Sequence, residues 1–252
     1  MKLNAKCLAY IINVVKTAKT LKIQNVIIEP GKVRAMDDNQ SVVIFQDEDV
    51  PTFEFGSIGL NRLEVFISRF DIIRSTDSFS IDVSTAGEDN SIGYDKFDLT
   101  NRSAKQPMYA RSINMTGTNI EIDYRCTNPA VLKAPKTRSH DNKFKISLTE
   151  NAFTMIQKGK LAMQSELVNF TGNTKGVFLS VTDINGDTLK YKFADEVVNI
   201  LNDDPPKFSF SYPIEVLVSI FKDNPNTLFY ITNKGFLTST INDLTVYVAP
   251  KT

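Results

Sequence analysis

The stretch that decides the fold runs from Phe208 to Val248 and reads FSFSYPIEVLVSIFKDNPNTLFYITNKGFLTSTINDLTVYV. Its first residues, Phe208–Tyr212, are β-rich. Pro213 then opens a segment whose apolar residues recur at steps of three and four, the period of an amphipathic helix. Three further β-rich runs follow, separated by turn signals: Thr227–Thr232, Phe236–Thr240 and Leu244–Val248. The stretch therefore predicts one strand, one helix and a three-stranded meander.

The same order of strand, helix and strands occurs about four times along the chain. Helical periodicity marks Asn4–Thr20, Gly59–Phe70, a segment that starts at an N-cap near Thr149, and the segment opened by Pro213. Short strands are predicted before the last three helices, at Phe53–Phe55, Phe144–Leu148 and Phe208–Tyr212. An Asn-Gly hairpin signal separates the predicted strands Val177–Thr182 and Thr188–Phe193. We expect an α+β fold of two similar domains, each with two strand–helix–strands units.

A solvated connector divides the chain in two. Cys126–Asp141 combines two prolines with three basic residues, a composition typical of extended linkers. We predict an N-terminal domain at residues 1–127, a connector at 128–141 and a C-terminal domain at 142–252. The segment Ala86–Gly117 lacks strong periodicity and is predicted to be a loop-rich excursion of the first domain.

The composition argues against catalysis, metal binding and membrane insertion. The two cysteines, Cys7 and Cys126, lie far apart without CxxC spacing, so two buried free thiols are favoured over a disulfide. The single histidine, His140, lies in a polar stretch without a catalytic partner. Three acidic pairs that could hold a metal lie in turn-like segments: Asp37-Asp38, Glu48-Asp49 and Asp203-Asp204. No glycine-rich phosphate motif occurs, and no apolar run approaches the ~18 residues of a membrane span. We predict a non-enzymatic intracellular protein without metal, cofactor or membrane contact.

Charge is segregated although the chain is neutral, with 29 basic and 29 acidic residues. The four predicted helices carry eight basic and three acidic side chains. The basic ones are Lys6, Lys16, Lys19, Arg62, Arg69, Lys158, Lys160 and Lys222. None of the helices has the dense basic stripe or the Asn/Gln cluster of a base-reading helix. A solvated helix face remains the simpler reading, and any DNA contact is expected to be loose and directed at phosphates.

Three short patches resemble the sliding clamps of DNA replication. Val33-Arg34-Ala35-Met36-Asp37, followed by the apolar run at 41–44, is similar to the motif after the first helix of that family. Phe53-Glu54-Phe55 leading to Leu60-Asn61-Arg62-Leu63 resembles its second strand–helix step. The end of the chain, Val246-Tyr247-Val248-Ala249-Pro250-Lys251, is similar to the terminal strand and tail of proliferating cell nuclear antigen, and the connector resembles that of T4-like phage clamps.

The resemblance implies a DNA-clamp fold with helices inside and sheets outside, three subunits per ring, and sheets that pair edge to edge between subunits. The ring would encircle duplex DNA without sequence preference, and the eight basic residues named above would line its hole. A DNA polymerase and a clamp loader would dock short peptides. The residues carried over to that peptide pocket are Met36, Gln40, Val43, Val131, Leu132, Ala249 and Pro250. Divergence from the family patterns favours a viral replication system, which would act inside a host cell.

Two other functions remain open at the level of sequence. A clamp-like processivity factor could bind DNA electrostatically without closing a ring, and its binding to linear DNA would then be strongly salt-sensitive. A β-rich viral structural protein without DNA function would instead assemble symmetrically and ignore DNA and polymerase.

Overall fold

Four α-helices alternate with antiparallel strands in a computed structural model that describes residues 1–86, 108–135, 142–194, 198–200, 207–222 and 227–251. The helices in these residues are α1 (Ala5–Thr20), α2 (Leu63–Arg74), α3 (Glu150–Met163) and α4 (Ile214–Lys222). The strands before α3 are β1 (Asn25–Glu29), β2 (Lys32–Met36), β3 (Val42–Gln46), β4 (Ile58–Leu60), β5 (Phe79–Ala86), β6 (Tyr109–Gly117), β7 (Ile120–Arg125) and β8 (Asn142–Ser147). Those after it are β9 (Leu167–Asn173), β10 (Gly176–Thr182), β11 (Thr188–Lys192), β12 (Val198–Ile200), β13 (Phe208–Pro213), β14 (Leu228–Thr232), β15 (Leu237–Ile241) and β16 (Leu244–Val248). The predicted α+β class is confirmed.

The chain divides into two compact units. Unit 1 comprises Met1–Asp38 and Val43–Lys136, and unit 2 comprises Asn39–Val42 and Thr137–Thr252. Unit 1 contains α1 and α2, and unit 2 contains α3 and α4. Among the described residues, no helix is long and apolar enough to cross a membrane.

In unit 1 the strands follow the orders β4-β1-β2-β3 and β5-β6-β7, with antiparallel pairing throughout. Helix α1 begins as predicted, because the Asn4 side chain accepts a hydrogen bond from the Cys7 N–H at 2.8 Å. Its buried face includes Ile11, Val15 and Ala18, as the periodicity predicts. Helices α1 and α2 pack against each other.

The prediction for the start of α2 is wrong. Residues 58–60 form β4, which pairs with β1, and the helix begins only at Leu63, after Arg62 in a left-handed conformation (φ 54°). Gly59 explains the difference, because a Cβ on it would lie 2.4 Å from the Thr127 carbonyl oxygen and it therefore permits a close strand contact. The helix then continues to Arg74, so its apolar face extends to the buried Ile73.

The predicted strand at Phe53–Phe55 is also wrong. Both phenylalanines are buried and their rings stack at 5.0 Å, but the backbone turns there and Gly56 has a φ of +77°. Two apolar residues separated by one polar residue therefore mimic the period of a strand without forming one. The expected loop at 86–117 is wrong for its last part, since Tyr109–Gly117 forms β6, and residues 87–107 lie outside the described residues.

In unit 2 the strands follow the orders β11-β10-β9-β13 and β12-β8-β14-β15-β16, again antiparallel. Thr149 caps α3 as predicted, accepting a hydrogen bond from the Ala152 N–H. The predicted hairpin at 183–187 is confirmed, with Gly186 at φ +94°, and so is the C-terminal meander β14-β15-β16. Helix α3 approaches β10 closely because Gly159 faces Val181.

Candidate nucleic-acid and assembly surfaces

Helix α1 carries exposed cations in unit 1. Lys6 and Lys16 lie on its solvent face and form no ion pair with any described residue. They lie ten positions apart in the sequence, which places them roughly 15 Å apart along the helix axis. Lys19 is also exposed but lies 3.9 Å from the Glu64 carboxylate of α2. A polyanion can therefore reach two unpaired lysines on this helix.

Arg62 and Arg69, the two arginines predicted to bind DNA, both lie against strand β7, although Arg62 remains exposed to solvent. They lie seven residues apart, on one side of α2, and flank the Tyr124 ring at 5.5 and 5.9 Å from its centroid. Arg69 Nη1 donates to the Asp123 carbonyl oxygen at 3.2 Å, and Arg62 Nη2 to the Arg125 carbonyl oxygen at 3.5 Å. Both guanidinium groups thus have hydrogen-bond partners within the chain.

Tyr124 lies at the centre of the cluster that it forms with Arg62 and Arg69. Its side chain is fully buried, its hydroxyl donates to the Asn61 carbonyl oxygen, and Phe66 packs edge-on against its ring. Burial raises the pKa of Tyr124 to about 12, so the hydroxyl stays protonated at neutral pH.

In unit 2 the basic residues differ in their surroundings. Lys158 on α3 and Lys222 on α4 are exposed and form no ion pair with any residue in the described part of the chain. Lys160 instead contacts two carboxylates, Glu166 at 3.3 Å and Glu215 at 3.4 Å. Its hydrogen bond to Glu166, with a further contribution from Glu215, raises the pKa of Lys160. Its charge is therefore largely compensated.

The residues predicted to bind a partner peptide fall in both units. In unit 1, Met36 and Val43 lie opposite each other in the β2–β3 ladder, both half-buried. Val131 belongs to a short 3₁₀ turn at Pro129–Val131 and is 69% exposed, and Leu132 follows it. In unit 2, the Ala249 N–H donates to the Ser41 carbonyl oxygen at 2.8 Å. That bond places Ala249 and Pro250 beside the segment that contains Gln40.

Two of the sheets each have one edge closed by chain ends and one open edge. The β5 edge is covered by residues 1–3, because the Leu3 N–H donates to Ile81 and the Val83 N–H donates to Met1. The β13 edge receives the Lys251 N–H at Ser211. Strands β7 and β11 lie at the opposite ends of the same sheets, and no described strand pairs with their outer edges. Each of these two sheets therefore presents, within the described residues, one strand edge that can accept another strand.

The two open edges differ in charge, because β7 carries two acidic residues beside Arg125 and β11 carries two lysines. On β7, Glu121 and Asp123 are exposed and alternate with Ile122 and the buried Tyr124. On β11, the exposed residues include two lysines, which alternate with half-buried apolar residues: Lys190 and Lys192 with Leu189 and Tyr191. Sequence reasoning missed this feature, although the alternation of charged and apolar residues is visible in both strands.

The hydrogen bonds between each open strand and its neighbour in the sheet determine which of its backbone groups face the open edge. The Cys126 N–H donates to the Arg111 carbonyl oxygen, so residues 122, 124 and 126 bond inward and residues 121, 123 and 125 face the open edge. The Phe193 N–H donates to the Val177 carbonyl oxygen, so residues 188, 190 and 192 face the open edge of β11. The charged residues of both strands are therefore among those whose backbone groups face outward, with Thr188 as the one uncharged member of the two sets.

The described residues hold no metal-binding cluster beside these surfaces. No three His, Cys, Asp or Glu side chains there come together in a way that could hold a metal ion. Burial raises the pKa of the Cys126 thiol to about 12, which makes it a poor nucleophile, and Cys7 is buried.

Comparison with known proteins gives similarity in structure alone. Neither a protein-family model nor a curated protein matches the chain. The PCNA of A. fulgidus, solved with the C-terminal region of FEN-1, matches with a TM-score of 0.59 at 12% identity, over 96% of this chain and 95% of its own. The PCNA of Thermococcus kodakaraensis matches at 0.57 and 11%, over 96% of both chains, and that of Entamoeba histolytica at 0.54 and 12%, over 97% of this chain and 96% of its own.

Proposed function

The chain has the fold of the DNA sliding clamps, and on that premise we propose that it is a polymerase processivity factor without enzymatic activity. Three copies close head to tail into a ring around duplex DNA. The ring holds a replicative polymerase on its template because it cannot leave the DNA sideways, so it needs only weak phosphate contacts and remains free to slide.

The observation that carries this proposal is the match between the two open edges. In an antiparallel register that places Asp123 opposite Lys190, Glu121 lies opposite Lys192. The same register joins the residues whose backbone groups face outward on each strand. It also places Ile122 opposite Tyr191 and Tyr124 opposite Leu189. One register therefore pairs opposite charges, pairs apolar side chains and joins the backbone groups that face outward on both strands.

This pairing is heterologous, because β7 belongs to unit 1 and β11 to unit 2. A heterologous contact generates a closed ring or an open filament, whereas a two-fold dimer would need one surface to match itself. Four strand–helix–strands units per chain favour three copies in a closed ring, as the resemblance implies.

For the DNA-facing surface we propose Lys6, Lys16, Lys158 and Lys222 as the main phosphate contacts, because they are exposed and unpaired among the described residues. Lys19 contributes less because Glu64 lies near it. Arg62, Arg69 and Lys160 contribute least because intramolecular partners engage them. These contacts recognise the DNA backbone and carry no sequence information.

For polymerase and loader peptides we propose the predicted residues Met36, Gln40, Val43, Val131, Leu132, Ala249 and Pro250. Replacing Pro250→Glu is expected to abolish stimulation of the polymerase while the mass of the assembly stays unchanged. Stimulation at the level of the unmodified chain would remove Pro250 from the peptide site.

The test of encirclement uses linear duplex DNA with biotin at both ends. The protein is bound first, and streptavidin is then added to block the ends in half of the samples. A ring is retained after a salt challenge only on the blocked DNA. Equal loss from blocked and open DNA would favour an open, electrostatic processivity factor, and no binding to either would favour a structural role.

A further inference from the structure

Two arginines reach the open edge of β7: Arg62, which directly precedes α2, and Arg69 within α2. Arg69 donates to the carbonyl oxygen of Asp123, and Arg62 to that of Arg125. Both carbonyls belong to residues whose backbone groups face the open edge. The arginines therefore occupy part of the surface that another strand would use.

A neighbouring β11 needs the same two oxygens. In the register given above, which rests on the proposed ring, the Lys190 N–H of a second copy would donate to Asp123 and its Thr188 N–H to Arg125. Its Leu189 side chain would lie beside Tyr124, where the guanidinium groups of Arg62 and Arg69 now flank the ring. Each carbonyl oxygen can accept two hydrogen bonds, but the guanidinium groups also occupy the place of Leu189 beside Tyr124, so bound arginines and a bound strand compete along this half of β7.

The two arginines do not cover the other half of β7, residues 120–122. Ile120 is 41% exposed and Glu121 is exposed, and no side chain of α2 donates to the described backbone there. A second copy can therefore pair with residues 120–122 while the arginines remain in place.

We propose that Arg62 and Arg69 form a latch that competes with the neighbouring copy for the carbonyl oxygens of Asp123 and Arg125. With the latch closed on Tyr124, the interface pairs only along the first half of β7. With the latch released, the whole strand pairs. The two arginines thus weaken the closed interface and give it a half-paired state from which a ring can open.

A single interface can be isolated with proline. The N–H of Lys190 faces the open edge, so Lys190→Pro blocks pairing by β11 without removing an inner hydrogen bond, and Asp123→Pro does the same for β7. A mixture of the two variants can form only one contact, between the intact β7 of the Lys190→Pro chain and the intact β11 of the Asp123→Pro chain. The dissociation constant of this heterodimer is measured by sedimentation or by fluorescence anisotropy.

Adding Arg62→Met and Arg69→Met to the Lys190→Pro chain is expected to tighten the heterodimer by roughly tenfold, the scale of about one net hydrogen bond. Arg74→Met is the matched control, because it removes an exposed arginine from the same helix without touching β7, and it should leave the affinity unchanged. The single variants serve if the double variant unfolds, and Arg69→Met should have the larger effect.

Equal or weaker affinity in folded latch variants would overturn the latch and leave the interface standing. A mixture that fails to associate with or without the arginines would overturn both the latch and the proposed strand pairing.

Discussion

Reversing the charges of β11 is expected to dissociate the assembly. In the proposed register Lys190 and Lys192 face Asp123 and Glu121 of the next copy, so Lys190→Glu with Lys192→Glu turns two attractive pairs into two repulsive ones. An exposed cross-strand pair is worth about 0.2–1 kcal/mol, and a like-charged pair costs a similar amount. The double reversal therefore costs each interface about 2 kcal/mol, or roughly thirtyfold in its dissociation constant. Over three interfaces the ring loses about 6 kcal/mol.

The matched rescue reverses β7 as well. A chain with Glu121→Lys and Asp123→Lys alone should dissociate like the β11 variant. A chain with all four substitutions restores an opposite charge at both positions of all three interfaces, so it should recover the assembly. Sedimentation velocity across protein concentrations measures this, and the difference between variants should shrink at high salt because exposed charges are screened.

The reasoning would be refuted if the fourfold variant stayed as dissociated as the two double variants. In that case the charged residues of the two strands do not face each other, and the register of the ring is wrong.

Three further predictions concern individual side chains. Lys16→Met should weaken low-salt DNA binding severalfold, measured by anisotropy, whereas Lys160→Met should have little effect because Glu166 and Glu215 already compensate that charge. Arg34→Met should lower the free energy of unfolding by about 3 kcal/mol in a denaturant titration. The reason is that it leaves the nearly buried Glu29 carboxylate, 2.6 Å from Arg34, without this partner. Adding Glu29→Gln should recover part of the loss. Gly235→Ala should lower the melting temperature of the protein more than Gly31→Ala does. Both glycines have positive φ, but a Cβ at residue 235 would lie 2.4 Å from the Phe210 ring, whereas a Cβ at residue 31 would meet no atom within 4 Å. Equal melting temperatures of the two variants would contradict this.

Local signals in the sequence predict the elements that depend on neighbouring residues. Asn4 and Thr149 begin α1 and α3 because a side-chain oxygen caps each first turn. The hairpin at 183–187 forms as predicted, since Asp183 accepts hydrogen bonds from the N–H groups of Asn185 and Asp187.

Features that depend on contacts between residues distant in the chain could not be predicted from the sequence. The apolar residues around Gly59 fit a helix by period, but the contact of Gly59 with Thr127 makes a strand of them. In the sequence Lys160 resembles a free cation, because Glu215, which contacts it in the structure, is 55 residues away along the chain. The open edges of β7 and β11 become visible only when sheet order shows which strands lie outermost.

The mass of the protein in solution, measured by sedimentation equilibrium over a wide range of concentrations, tests the central claim most directly. The proposed ring predicts a species near three times the 28.3 kDa subunit, which dissociates on dilution and does not grow beyond three copies. A chain that stays monomeric at the highest concentrations would contradict the ring. A mass that increases without limit would show that the heterologous contact forms a filament and does not close.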